Sequence, residues 1–397
     1  MTKRLIFLFL LLPMLSLWGR AQGVDAILKI VEQNNKDLQA LRKDTEASSL
    51  EIRSRNLPLS DGPSVEYSPF FRNGAGRMAS SELVVSQGFD FPALQTARAK
   101  QGRLERQELT RQYAIQRRDI LLQAKMCCLD LVYQNQQYKL LTRRKNVAKH
   151  LQELTARRMS GGDATQIDLN KIKIDLMNIE TALTQVKTEQ LATLQTLQSL
   201  SGGERLTLAD TTYTSFHDGQ NEDDEVALTN RILSTDCDVL SAQAAVQTAE
   251  GKLRTAQREW LPKMEIGYRR NTEMSETSHG FLIGATLPLY GQRNRTKIAR
   301  AQQDAAQLRL EQTRNETHSR ILALLNQVRA LQEMRRTFDK ELIRQTLILL
   351  QRSVEEGQMS VINYYIEADA LYQNMATHLE VERQYQGLWA EINKNDL

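Results

Sequence analysis

Apolar residues recur at helical spacing along most of this 397-residue chain and switch to strict alternation in only two places. From Val24 to about Arg55, Ile27, Ile30, Val31, Leu38, Leu41 and Leu50 keep the three-to-four-residue spacing of a helix face, with no Gly or Pro among them. Leu57-Pro58 ends that run. Two strand-like stretches follow within about 63–91. Ser64–Phe71 carries Val65, Tyr67 and Phe71. In Ser80–Phe91, Leu83, Val85, Gln87, Phe89 and Phe91 alternate with Glu82, Val84, Ser86, Gly88 and Asp90, an apolar face backed by a small or polar one. Arg72–Arg77 reads as the loop between them. From about Ala93 to Leu154 there is no Pro, and no Gly after Gly102. Roughly 60 residues at ~1.5 Å each predict a helix on the order of 90 Å long. A pattern of that length needs coiled-coil-like neighbours.

The cycle then repeats. The first long helix stops at Arg158-Met159-Ser160-Gly161-Gly162-Asp163-Ala164-Thr165 and restarts as a helix over about Gln166–Leu200, which ends at Gly202-Gly203. A polar, acidic connector over 204–225 leads into the second copy. Its helix Val226–Glu259 runs into Trp260-Leu261-Pro262, as Leu57-Pro58 closes the first. A second strand pair lies within about 263–290. Met264, Ile266 and Tyr268 alternate with Glu265, Gly267 and Arg269, and Phe281, Ile283, Ala285, Leu287 and Leu289 alternate with Gly280, Leu282, Gly284 and Thr286. A second very long helix is predicted over Arg293–Val354. It stops at Glu355-Glu356-Gly357-Gln358-Met359-Ser360 and returns as a helix to about Asn393. With Gly162 aligned on Gly357, Thr165 falls on Ser360, Asp168 on Asn363 and Leu176 on Leu371. Gly can take φ > 0 and end a helix, and a Thr or Ser oxygen can cap the next one. Each stretch therefore reads as the tip of a helical hairpin, over 159–165 and 355–360. The chain divides into a first structural repeat over 22–203 and a second over 226–397. The stretch Asp238–Pro262 is about one helical turn longer than Asp37–Pro58, and that turn is expected to be missing from the helix of the first copy.

Composition adds the compartment. Residues 1–21 have the form of a signal peptide: Lys3 and Arg4, an apolar stretch Leu5–Trp18, then Gly19-Arg20-Ala21. No Cys stands at the expected new N-terminus near Gln22, so no lipid anchor is expected. Removal of Lys3, Arg4 and Arg20 takes the formal charge from +4 to +1, which leaves no compositional case for nucleic acid. Hydrophobic content is 41% and mean hydropathy −0.48, so no stretch after the signal resembles a transmembrane helix. Any membrane-embedded part must be made of strands. Cys127, Cys128 and Cys237 read as small apolar residues packed in helices rather than as a disulfide framework, and no spacing suggests a metal. The five His read as surface residues, and Arg143-Arg144-Lys145 and Asp223-Asp224-Glu225 as solvated faces.

Strand pairs with one apolar and one polar face suit the wall of a membrane barrel at about 9–11 residues per strand. Four strands cannot close a barrel, since known ones begin at about 8, and an open edge in lipid strands backbone groups at several kcal/mol each. The strands must therefore be shared among copies, with the long helices continuing the tube into water. The duplicated Gly-x-x-Ser/Thr-x-x-Asp/Asn tips, the Leu-Pro lead-ins to the strand pairs, and Leu287-Pro288-Leu289 followed by an Arg-rich exit make the whole mature chain resemble the TolC-type outer-membrane efflux protein family. That resemblance implies a mainly α protein with a transmembrane β part. Long antiparallel helices would form a periplasmic α-barrel, and a homotrimer would share a twelve-strand β-barrel above a twelve-helix tunnel.

It also implies an outer-membrane exit duct, passively conducting small molecules or a secreted protein from an inner-membrane pump of RND or ABC type. A periplasmic adaptor would dock on the tips. Outer-membrane lipid is an expected partner, nucleic acid is not, and no enzyme activity, cofactor, metal or catalytic residue is expected. The absence of a GxxxxGK[ST] phosphate loop fits a duct whose energy comes from elsewhere.

The candidate docking and aperture residues are Gly162, Thr165, Asp168, Gly357, Met359, Ser360 and Asn363. Asp168 matches an Asp that helps hold the aperture shut in relatives, or it simply caps a helix or faces water. The second tip departs from the family pattern: Met359 stands in place of a bridging Arg, Val354 in place of a gating Tyr, and Asn363 and Ile366 where aspartates ring the pore. The candidate membrane-facing residues are Leu83, Val85, Phe89, Phe91, Ile266, Tyr268, Phe281, Ile283 and Leu287. Tyr67, Phe71, Phe89, Phe91, Tyr268 and Phe281 form a candidate interfacial aromatic girdle. The rival reading is a periplasmic coiled-coil adaptor or another exported helical protein. An adaptor would carry one hairpin flanked by barrel-like β domains, with many more strands.

Overall fold

A computed structural model describes residues 23–57, 62–71, 78–206, 225–273, 276–288 and 292–397. The expected signal peptide, Pro58, the expected loop 72–77, Leu289 and nearly all of the expected acidic connector lie outside the described residues. In chain order the elements are α1 Val24–Asn34, α2 Lys36–Arg55, β1 Ser64–Phe71, β2 Met78–Asp90, α3 Pro92–Gly161 and α4 Gln166–Leu200. The second repeat supplies α5 Glu225–Thr235, α6 Cys237–Ala256, β3 Lys263–Glu273, β4 Glu276–Thr286, α7 Gln292–Thr337, α8 Lys340–Glu355 and α9 Val361–Ile392, then a short 3-10 turn, Lys394–Asp396.

Three of the predicted helices are broken. The first is interrupted at Asn35, its counterpart at Asp236, and the second very long helix at Phe338-Asp339. No Gly or Pro marks any of these positions. Each break is an Asn or Asp side chain accepting from a backbone N–H three residues on: Leu38 to Asn35 at 2.8 Å, Val239 to Asp236 at 3.1 Å and Leu342 to Asp339 at 2.9 Å. Short polar side chains offer the backbone this alternative to the helical bond, so they start new helices in mid-run. By contrast α3 is continuous for 70 residues, about 105 Å, longer than the pattern predicted. The predicted missing turn of helix in the first copy is not found. Both α2 and α6 have 20 residues, and the extra residues of the second copy form a turn at 257–260 instead.

The four strands make one antiparallel sheet in the order β1-β2-β3-β4, with β2 pairing β3 across the two repeats. Among the described residues both outer strands, β1 and β4, have an unpaired edge. α3 is the spine of the helical part and packs along α4, α6 and α9, while α7 packs on α6 and α9. Buried apolar residues form separate clusters along the helices rather than one globular core. One joins Ile27, Val31, Leu121, Cys128 and Leu197; another joins Ile232, Ile321, Leu325 and Tyr385. All three Cys are unpaired, and Cys128 is fully buried in the first cluster. No described helix is long and apolar enough to cross a membrane.

Candidate functional site

The predicted site residues fall at two opposite ends of the helices. At the first tip, α3 ends on Gly162 at φ 85°, and the Asp163 N–H donates to Arg158 O at 2.9 Å. Thr165 then caps α4. Its Oγ1 accepts from Asp168 N at 3.2 Å, while Thr165 N and Oγ1 donate to Asp168 Oδ2 at 2.9 and 2.7 Å. This reciprocal capping box occupies the Asp168 carboxylate, the helix-capping alternative for that residue. At the second tip Gly357 has φ 76°, Gln358 N donates to Ser353 O at 2.8 Å, and Ser360 accepts from Asn363 N at 3.2 Å.

Arg158 joins the tips. Its Nη1 donates to Val354 O at 2.9 Å, which also accepts from Gly357 N at 3.1 Å, and its Nη2 donates to Glu355 O at 2.8 Å, so the cation sits on the carbonyls at the C-terminal end of α8. Beneath the tips lies a compact cluster of Leu151, Ile172, Val354, Val361, Tyr364, Tyr365 and Ala368, with Met359 packed against it. Val354 is fully buried, so in this chain that position is core. Gly162, Thr165, Gly357, Ser360 and Asn363 are exposed.

One group near the tips escaped the sequence reading. Arg144 does not lie in a solvated run. Its Nη2 donates to Asp175 Oδ1 at 2.6 Å and Asp369 Oδ1 at 3.0 Å, and its guanidinium lies 5.0 Å from the Tyr372 ring centroid. The bridge ties α3 to α4 and α9. Burial opposes the charged guanidinium, but the two carboxylates outweigh it and raise its pKa. The signal was present in α4: Asp175 follows Leu169 and Ile172 at core spacing, where an acid needs a buried partner.

At the far end, the register decides which strand residues share a face. Residues directly opposite in an antiparallel pair point to the same side. Val65 faces Val85 and Tyr67 faces Leu83; Val85 in turn faces Tyr268 and Gln87 faces Ile266; Tyr268 faces Phe281 and Ile266 faces Ile283. Val65, Tyr67, Leu83, Val85, Phe89, Met264, Ile266, Tyr268, Phe281 and Ile283 thus lie on one side of the sheet, with Gln87 and Arg270 among them, while a register irregularity sets Phe71 opposite Met78. Phe281 is 93% exposed and Ile283 79%. The other side carries Glu66, Glu82, Ser86, Glu265 and Arg269, with Arg269 and Glu82 paired at 2.8 Å. Leu287, exposed, lies just beyond β4. Phe91 stands outside the sheet: Pro92 starts α3 and leaves Phe91 as its cap. Among the described residues no cluster of His, Cys, Asp and Glu could hold a metal.

Residues 228–394, most of the second repeat, match the family model described as outer membrane efflux protein. No curated protein sequence matches significantly. The fold is similar to that of the outer membrane protein VceC from Vibrio cholerae, with TM-score 0.74 and 15% identity over 94% of this chain and 95% of that one. It is also similar to the CmeC outer membrane channel from Campylobacter jejuni, with TM-score 0.69 and 13% identity over 94% and 85%. A third similar structure is the open state of the MtrE outer membrane channel from Neisseria gonorrhoeae, with TM-score 0.69 and 13% identity over 94% and 88%. The second repeat is thus similar in sequence to the outer membrane efflux proteins, and the whole chain is similar in fold to these outer membrane channels.

Proposed function

We propose that three copies join their sheets edge to edge into a barrel in the outer membrane. The helices continue that barrel as a tunnel through the periplasm, and the duct passively conducts small molecules or a secreted protein outward. The single observation that carries this reading is the sheet. One exposed face carries apolar residues from all four strands, with Gln87 and Arg270 among them, the other is mostly small, polar or charged, and among the described residues both β1 and β4 have free edges. In lipid those edges must be paired, which more copies of the same sheet can do. Leu83, Val85, Phe89, Ile266, Tyr268, Phe281, Ile283 and Leu287 then contact lipid, with Phe91 at the border between strand and helix. Two hairpins and one shared sheet favour this reading over a periplasmic adaptor.

The exposed tips are the docking end for an adaptor that links to an inner-membrane pump. Tip residues Gly162, Thr165, Gly357, Ser360 and Asn363 offer it backbone and small polar groups, with Met359 packed beneath. Asp168 serves the tip as a cap rather than as a free pore charge. Fractionation tests the first part: a detergent-requiring trimer that dissociates on heating is expected in outer membranes, and a soluble monomer would overturn it. Gly357→Glu tests the second. The trimer should form normally while export is lost, and full export by this variant would remove the tip from the docking surface.

A further inference from the structure

The register that gathers the apolar residues also gathers the charge on their side of the sheet. Among the described residues that side carries no Asp or Glu, and its Arg and His stand together. Arg270 of β3 lies directly opposite His279 of β4, with Leu83 on its other flank and Tyr67 beyond. The next row outward, Ser81, Thr272 and Thr277, is polar, so this row closes the apolar band at the end of the sheet away from the helices. β3 ends at Glu273, which puts Arg270 about 10 Å along the strand from its end. Arg270 is exposed, and among the described residues its guanidinium has no partner, whereas Arg269 on the other side of the sheet pairs with Glu82 at 2.8 Å. His378, contrary to the reading of every His as a surface residue, is only 7% exposed, and burial lowers its pKa to about 4. His279, by contrast, is exposed, and its Nδ1 meets the Tyr268 hydroxyl. An arginine on a lipid-facing side is costly at mid-membrane and nearly free of cost at the interface, where its long side chain extends to the headgroups.

We propose that Arg270 and His279 hold the phosphate of a lipid in the leaflet away from the helices, an inference that rests on the sheet being a barrel wall. The guanidinium offers parallel N–H donors that match phosphate oxygens. With Nδ1 accepting from Tyr268, the His279 ring proton sits on Nε2 and adds a third donor. The acyl chains lie against Tyr268, Phe281 and Ile283, which continue the same side of the sheet towards the helices. With no carboxylate on that side, nothing there competes with the phosphate for the two donors.

The test takes the full-length protein in detergent and measures retained lipid by native mass spectrometry. Diphosphoryl lipid A and phosphatidylglycerol are the phosphate-bearing probes, and diacylglycerol lacks the phosphate. Both phosphate lipids should be held more tightly than diacylglycerol, and the better held of the two names the source. Arg270→Gln should weaken their retention about fivefold, the worth of one arginine beside a lipid headgroup. Adding His279→Leu should weaken it further. Arg269→Gln, the same loss of charge on the other side of the sheet, should leave it unchanged. Equal retention of diacylglycerol would overturn the proposal, as would the absence of retained lipid or an equal loss in Arg269→Gln. Retention indifferent to Arg270→Gln in a parent that fractionates as a detergent-requiring assembly overturns the phosphate site alone. A parent that needs no detergent overturns the barrel reading with it.

Discussion

The two repeats begin with the same joint and build it from different physics. In the first, Asn35 caps α2 while its amide donates to Leu200 O at 2.8 Å, and Gly202 presses against the backbone of Asn34. The cap here is uncharged, and hydrogen bonds, including Asn34 Nδ2 to Glu204 Oε2 at 2.6 Å, hold the joint together with close packing. In the second, Asp236 is 1% exposed and holds a network. It caps α6, accepts from Arg320 at 3.2 Å and from Asn395 at 3.3 Å, and lies beside Asp238, which pairs with Arg118 at 2.9 Å. Charge here ties α3, α6, α7 and the C-terminal turn at one point. Equivalent breaks can thus be held by an uncharged cap with close packing or by an ionic network, and the two should fail differently.

The largest effect is expected at the charged joint. Asp236→Ala removes the cap of α6 together with the carboxylate bonded by the partly exposed Arg320 and by Asn395, and should cost about 2–4 kcal/mol, against about 1–2 kcal/mol for Asn35→Ala. Denaturant midpoints of the two variants give the comparison, and equal losses would erase it. The joint with the uncharged cap is attacked through Gly202→Ala. Gly202 has φ 73°, and an added Cβ would sit 2.4 Å from Asn34 O, so a loss of roughly 2–3 kcal/mol is expected. Gly162→Ala, with φ 85° but open space around it, should cost only about 1 kcal/mol in the same assay.

Asp339→Ala removes the cap at the break found in the second long helix alone, and should lower stability by about 1 kcal/mol. Hydrogen exchange is expected to quicken first in the opening turn of α8. The smallest effect concerns pH. The folded-state pKa of His378 is lowered to about 4 from 6.5, so the unfolded chain binds more protons between those values. Its contribution to stability is present above pH 6.5 and fades as pH falls towards 4. The loss of melting temperature between pH 7 and pH 4.5 should therefore be smaller in His378→Phe than in the parent.

Much of this molecule was legible in its sequence because the two periods are clean. Alternation in Leu83–Phe89 and Ile266–Ile283 gave the strands and their apolar face, and Gly162 with Thr165 gave a tip that is built as read. The helix breaks were missed because Asn35, Asp236 and Asp339 interrupt helices by side-chain capping, which leaves the apolar period running through the break. Arg144 and His378 were missed for a related reason. Each is polar in a polar-looking stretch, and only packing against α4 or beside Phe338 reveals that it is buried.

The unbroken span of α3 acts as a ruler. Removing one heptad from it would draw Gly162 about 10 Å towards the sheet. It would also leave Arg158 short of the carbonyls of Val354 and Glu355 unless α4, α8 and α9 lost matching lengths. Insertions and deletions in these columns are therefore tolerated only as coordinated sets, and the reach of the protein is fixed jointly by both of its halves.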